Sequence, residues 1–367
     1  NRRVREGPRL EAYASTVIAF LVTTTLLLVL RPLADAVGLV DRPSGRKTHS
    51  GVIPVVGGIA MFGGVIIAAT MSDQLQRHGN VVLLAAGLMV LIGALDDRFD
   101  LKPQFRLFAH AVAAIALSYG SGFVVPDLGN LLGFGDIPLG WLALPFTVVA
   151  CMALINAFNM LDGMDGLAGG CALVAFLGFA TVALAHSAPT AAIMSLSLAG
   201  ACLGFLMFNL PARFNRGFRT FMGDAGSTLL GFVLAAVALL LVQPTRADVP
   251  PAIILWMMPI PIFELFTSTV RRLVKGLSPM QADNGHFHHT LVKAGFSVRL
   301  IFAIYIGVSA LSALVGVLAL EEGLEEPVVC LLFLVFFAAW LGFVHFAPAI
   351  VPSLPHRMRR EVENLPH

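Results

Sequence analysis

The sequence predicts an all-α integral membrane protein of about eleven transmembrane helices, with its N-terminus periplasmic and its C-terminus cytoplasmic. Three observations lead there. The 367 residues are 57% hydrophobic and only 13% charged, where a soluble domain has roughly 25% charged residues. The apolar residues fall in runs comparable to the ~20 residues that one spanning helix needs. Lys and Arg also gather in alternate loops, and such loops stay on the cytoplasmic side. A net charge of +2 gives no reason to expect nucleic acid as a partner. Cys151, Cys171, Cys202 and Cys330 all sit inside apolar runs, as small buried hydrophobes rather than disulfides or metal ligands.

Apolar runs bounded by charge, Gly and Pro place helices near 13–31, 53–71, 80–96, 105–122, 139–158, 167–186, 190–210, 225–242, 251–270, 299–319 and 328–347. The first run is long enough to span and is followed by others, so it reads as a membrane helix and not as a cleaved signal. Taken alternately, one set of loops carries Arg31, Arg42, Arg46, Lys47, Arg98, Lys102, Arg106, Arg213, Arg216, Arg219, Arg271, Arg272, Lys275, Lys293 and Arg299, then Arg357, Arg359 and Arg360. The other set holds only Arg77 and Arg246, with Glu321, Glu322, Glu325 and Glu326. Arg2, Arg3, Arg5 and Arg9 at the outer N-terminus break the pattern and are given little weight. No linker rich in Gly, Ser or Pro divides the chain, so a single polytopic domain over 1–367 is expected, without an internal repeat.

The polar residues that are expensive at a membrane boundary fall in the cytoplasmic set. The first such loop, Asp41 to Ser50, is basic and suits lipid phosphate or headgroups. The third span ends in Asp96-Asp97, a repelling pair that calls for a cation; magnesium, which takes oxygen ligands and shares them with phosphates, fits. A solvated helix end is the bland alternative. The fifth span runs into Asn156, Asn159, Asp162 and Asp165, every third residue, before Gly163 and Gly166 allow the backbone to unwind. Amides and carboxylates in that rhythm read base edges or sugar hydroxyls; the competing role is polar glue between helices.

Before the eighth span comes Phe221-Met222-Gly223-Asp224-Ala225-Gly226-Ser227. Its helix N-terminus favours an anion, and Asp224 is either a metal ligand or a plain N-cap. Phe221 is placed to stack on a base, or belongs to the core. In the ninth span Pro259 and Pro261 are expected to break the helix just before Glu264, an acid among apolar residues that needs a partner the sequence does not name. The loop that follows holds Arg271, Arg272 and Lys275, then His286-Phe287-His288-His289. Without a Cys, and with His288 and His289 adjacent, phosphate binding fits it better than zinc.

These runs, Asp96-Asp97, Asn156 to Leu167, Phe221 to Ser227 and His286 to His289, resemble in order the polyprenyl-phosphate N-acetylhexosamine-1-phosphate transferases, across about residues 36 to 298. The nearest likeness is to members that load N-acetylglucosamine at the start of common-antigen and O-antigen lipids in the bacterial inner membrane. The resemblance implies transfer from UDP-N-acetylglucosamine to undecaprenyl phosphate at the cytoplasmic face, with magnesium required and manganese as a substitute. Asp224 with Asp97 would hold the metal, and Asp96, Asp97 and Asp162 would be catalytic. Asp165 and Phe221 match uracil-holding positions, and Asn156 and Asn159 line the nucleotide-sugar site. Lys47, Arg106, Arg272, His286, His288 and His289 match substrate and phosphate contacts, and a homodimer is compatible with the family. One departure stands out: Asp283-Asn284-Gly285 replaces the Asp-Arg-Gln common in that group, so N-acetylfucosamine or N-acetylgalactosamine is the alternative sugar. The transferase that loads phospho-N-acetylmuramoyl-pentapeptide shares the acidic motifs, but its pattern has ten spans. From another class, an anion transporter would place its ionisable groups near mid-membrane on broken helices, and a membrane scaffold explains none of the acid clusters.

Overall fold

The computed structural model describes residues 2–42, 51–73, 75, 77–210, 218–243, 249–274, 276–277 and 286–350. Thirteen α-helices order the described residues: α1 Arg2–Leu30, α2 Gly57–Thr70, α3 Arg77–Phe99, α4 Pro103–Ser121, α5 Ala143–Leu161, α6 Leu167–Ala185, α7 Pro189–Asn209, α8 Gly223–Leu241, α9 Pro251–Met257, α10 Pro259–Val274, α11 Phe287–Lys293, α12 Val298–Glu321 and α13 Glu326–Ile350. All eleven expected segments are helical over most of their length. Among the described residues eight helices are long and apolar enough to cross a membrane, or nine when α9 and α10 are taken as one broken span. The two segments below that mark are α2, which has 14 residues, and α4, which carries Arg106 and His110.

The differences from expectation have local causes. The second segment is helical only from Gly57, because Pro54 lacks an N–H and favours extended backbone before it. Ile53–Pro54 instead forms β2, antiparallel to β1, Val40–Asp41. The ninth segment breaks where Pro259 and Pro261 remove helical N–H donors, and α9 and α10 meet at 93°. The short helix α11, within the His motif, was not expected.

Burial divides the helices into two kinds. Helix α8 packs against α2, α3, α5, α6 and α7, and nearly all its side chains are buried. A helix apolar on every side and covered on every side is the centre of the molecule. By contrast α1 exposes Leu10, Val17, Leu21 and Leu28, and α13 exposes Leu331, Leu334, Val335 and Phe346. Apolar surface this extensive has no place in water but suits contact with lipid chains. The chain is a multi-pass membrane protein with a helical core that runs from Ala12 to Ala347.

Close packing at the centre is what positions the functional residues. A Cβ on Gly93 would collide with the backbone of Asp224 and Ala225, so α3 lies directly against the start of α8. The strip before α8 is held by main-chain bonds: Phe221 N–H donates to Pro54 O at 2.9 Å, while Phe221 O and Met222 O accept from Gly57 and Gly58, each at 3.0 Å.

Candidate functional site

The last turn of α3, the first turn of α8, the end of α5 and the start of α4 meet around Arg106. Its Nη1 donates to Asp96 Oδ2 at 2.5 Å and to Asp224 Oδ2 at 3.0 Å. Asn159 Nδ2 donates to the other oxygen of Asp224, Oδ1, and to Ser227 Oγ at 3.2 Å. Two carboxylates far apart in the chain thus converge on a single positive nitrogen. Asp96 is 5% exposed, and its Oδ1 also accepts the N–H of Leu101 at 2.8 Å. A small cavity opens beside this group, with Asn156, Thr228 and His110 in its wall.

Asp97 is turned another way. Its two oxygens accept the main-chain N–H groups of Asp224, at 2.7 Å, and Ala225, at 3.2 Å. Those amides open α8 and lack partners within it, so Asp97 braces the helix that carries Asp224. The carboxylate that shares Arg106 with Asp224 is Asp96.

Asp162 caps α5 half-buried, after the last residue of that span. Burial first, then the nearby charges of Asp224 and Asp97, push its carboxyl well above the usual range. Four carboxylates therefore lie together, and Arg106 is the cation paired to two of them, Asp96 and Asp224. Among the described residues, no three His, Cys, Asp or Glu side chains stand close enough to enclose a metal by themselves.

A second group forms where the α5–α6 turn meets the strip before α8. Gly166, at φ +76°, takes a left-handed conformation that lets the chain leave α5 and enter α6. Its N–H is held by Asn209 Oδ1 at 2.5 Å, and Asn209 Nδ2 donates to Thr220 O at 3.0 Å. Asp165 pairs with Arg219, whose guanidinium lies 5.2 Å over the Phe221 ring. The structure thus joins Asp165 and Phe221, as the sequence reading joined them, through an arginine that it had counted only as a loop charge.

The third group is the His motif. His286, His288 and His289 lie together, with ring centroids 5.7 Å apart for His286–His288 and 4.3 Å for His288–His289. Burial, then the adjacent His288 and His286, lowers the His289 ring to about 4, so it offers a neutral imidazole at physiological pH. A Cβ on Gly163 would stand 3.0 Å from His288 Nε2, so the motif abuts the turn between Asp162 and Asp165. Arg272 is buried on α10, about two turns beyond Glu264. Lys47 and the Asp283-Asn284-Gly285 departure lie outside the described residues.

Sequence reasoning missed Arg219, Asn209, His110 and the partners of Glu264. Arg219 stands two places before Phe221, and His110 is one helical turn from Arg106 on the same face. Those spacings were available as signals. Asn209 carried the same cue as Asn156, an amide closing an apolar helix.

Comparison with known proteins adds the following. Residues 80–242 match the model of Glycosyl transferase family 4. The undecaprenyl-phosphate alpha-N-acetylglucosaminyl 1-phosphate transferase of Yersinia pestis is 35% identical over 352 residues, 95% of this chain and 96% of that protein. The protein of the same name from Escherichia coli K12 is 38% identical over 319 residues, 87% of each chain. That from Haemophilus influenzae is 35% identical over 351 residues, 96% of this chain and 99% of its own.

Proposed function

Since the chain belongs to glycosyl transferase family 4, we propose that it moves N-acetylglucosamine 1-phosphate from UDP-N-acetylglucosamine onto undecaprenyl phosphate. An oxygen of the lipid phosphate bonds to the β-phosphorus of the donor. The bond from that phosphorus to the bridging oxygen breaks, and UMP leaves with the oxygen. The products are undecaprenyl-diphospho-N-acetylglucosamine and UMP, the first membrane-bound step of a surface polysaccharide. The enzyme works in the bacterial inner membrane with its acidic cluster at the cytoplasmic face, the side on which Lys and Arg collect.

The observation that carries this reading is the convergence of Asp96 and Asp224 on Arg106, beside Asn159 and Asp162. Phosphoryl transfer is mostly positioning and charge neutralisation. Even with Asp162 protonated, three further acids against one paired guanidinium leave a surplus of negative charge, which would repel phosphates unless a divalent cation entered. Magnesium is commonly held by one or two carboxylates and completed by phosphates and water, and Asp224 and Asp96 offer two that converge. Asp224 and Asp96 would hold it, with Asp97 fixing the helix beneath, and the ion would neutralise charge on the transferring phosphoryl group.

The chain's own groups supply the rest. Asp165 and Phe221, bridged by Arg219, hold the uracil. Asn156 and Asn159 line the nucleotide-sugar site, and Asp162 lies beside the reacting phosphates. Arg106, Arg272, Lys47 and the His motif contact phosphate.

The test is transfer of labelled sugar phosphate to undecaprenyl phosphate by purified protein, comparing UDP-N-acetylhexosamines with and without magnesium. Metal-dependent transfer from UDP-N-acetylglucosamine with UMP released is the expected result. Transfer only from another hexosamine would move the specificity to the altered loop before His286. No transfer from any donor by intact protein would sink the reading.

A further inference from the structure

Glu264 is 1% exposed in α10, between Phe263 and Leu265. A carboxylate so placed costs free energy unless its oxygens are filled, and the structure fills them from two other elements. The N–H of Phe287 donates to both oxygens, at 3.0 and 3.1 Å. The hydroxyl of Tyr305 on α12, itself fully buried, donates to Oε1 at 3.0 Å. His286 Nδ1 lies 3.6 Å from one oxygen and His288 Nδ1 3.8 Å from the other. Ser268, one turn further along α10, is 3.3 Å from His286 Nδ1.

The residues that Glu264 grips are the His motif itself. It takes the first amide of α11, where the preceding residue, His286, gives no side-chain cap. On the far side of this grip, His288 abuts Gly163 in the turn between Asp162 and Asp165. An apolar residue at 264 would serve packing at least as well, since a buried charge is weak evidence of stabilisation. What the carboxylate supplies is a fixed place for the segment.

We infer that Glu264, seated by Tyr305, is a positioning residue that locks His286–His289 against the Asp162–Asp165 turn and so sets the aim of His288 at the donor. The inference rests on the reading of the His motif as part of the transferase site. A purely structural role would lower stability without selecting a kinetic parameter.

The experiment compares Glu264→Ala, Glu264→Gln, His288→Ala and the Glu264→Ala/His288→Ala pair in purified full-length protein, together with amide hydrogen exchange over 286–293. Releasing a buried donor and its loop should lower kcat/KM for UDP-N-acetylglucosamine roughly ten- to a hundred-fold in Glu264→Ala. The KM for undecaprenyl phosphate should stay near the wild-type value. The double variant should be no worse than His288→Ala, and Glu264→Gln, which keeps an acceptor for Phe287, should restore most of the loss. Exchange at 287–293 should rise in Glu264→Ala while α8 stays protected.

Wild-type transfer with undiminished Glu264→Ala, or losses that multiply in the double variant, would overturn the positioning role. Unchanged exchange over 287–293 would overturn it whether or not the wild type transfers. A wild type that transfers nothing would instead count against the functional reading.

Discussion

Asp96 and Asp97 are neighbours on one helix end, and successive side chains on a helix point about 100° apart. That angle separates their duties. Asp96 meets Asp224 across Arg106, while Asp97 turns to the amides of α8. Removing Arg106 would leave the almost fully buried Asp96 carboxylate without its ion partner, so Arg106→Ala should cost roughly 1–3 kcal/mol of stability. Adding Asp96→Asn should return part of that loss, because an amide needs no counter-charge. Melting of the three variants in detergent measures this; a double variant less stable than Arg106→Ala would refute the pairing. Asp165 is similarly placed by one partner, Arg219. If the pair orders the uracil pocket, Asp165→Ala and Arg219→Ala should each raise the KM for the UDP-sugar and leave that for the lipid phosphate in place. Equal weakening toward both substrates would make the pair structural. The type and chain position of all four acids were plain in the sequence, but the division between Asp96 and Asp97 was not, because both are aspartates one residue apart.

At the scale of elements, the site depends on how closely three helices approach α8. Gly93 on α3 faces the backbone of Asp224 and Ala225 with no room for a side chain. Gly93→Val would push α3 outward, and overpacking of this kind costs about 1–3 kcal/mol. Because the same contact sets Asp97 beneath α8, transfer should fall along with the melting temperature. A Gly93→Val protein with wild-type melting and wild-type activity would show that the contact is not needed. The bend of 93° between α9 and α10 belongs to this scale as well. Proline chemistry made the break foreseeable, since a missing N–H acts locally. The angle follows from where α10 finds its packing, which involves α5 and α12. The start of α2 was misplaced for a related reason: hydropathy marks apolar residues alike, whether helical or paired as β2.

For the whole molecule, the prediction concerns sides of the membrane. Positive charge predicts that Phe99, which is 58% exposed at the end of α3, faces the cytoplasm, and that the exposed Glu322 after α12 faces outward. In right-side-out vesicles a membrane-impermeant thiol reagent should label Glu322→Cys and spare Phe99→Cys until the membrane is opened. Three native cysteines, Cys151, Cys171 and Cys202, are buried, and the partly exposed Cys330 is first replaced by Ser to keep the background low. The reverse labelling would invert the orientation and put the acidic cluster outside.

By itself the sequence determined the properties that are local or additive: helical segments from runs of apolar residues, a break from Pro259, and candidate chemistry from motifs, while the count of Lys and Arg gave an expected side for the labelling to test. Each depends on residues within a turn or two of one another, or on a sum over a loop. Only the tertiary structure decided which groups meet, because those pairs are 10 to 128 residues apart in the chain: Arg106 with Asp96 and Asp224, Asn159 with Asp224, Asp97 with Ala225. Glu264 is the sharpest instance. Its need for a partner follows from the cost of burying a charge, but that cost is met by an amide and a hydroxyl on helices 23 and 41 residues away, and no property of residue 264 names them.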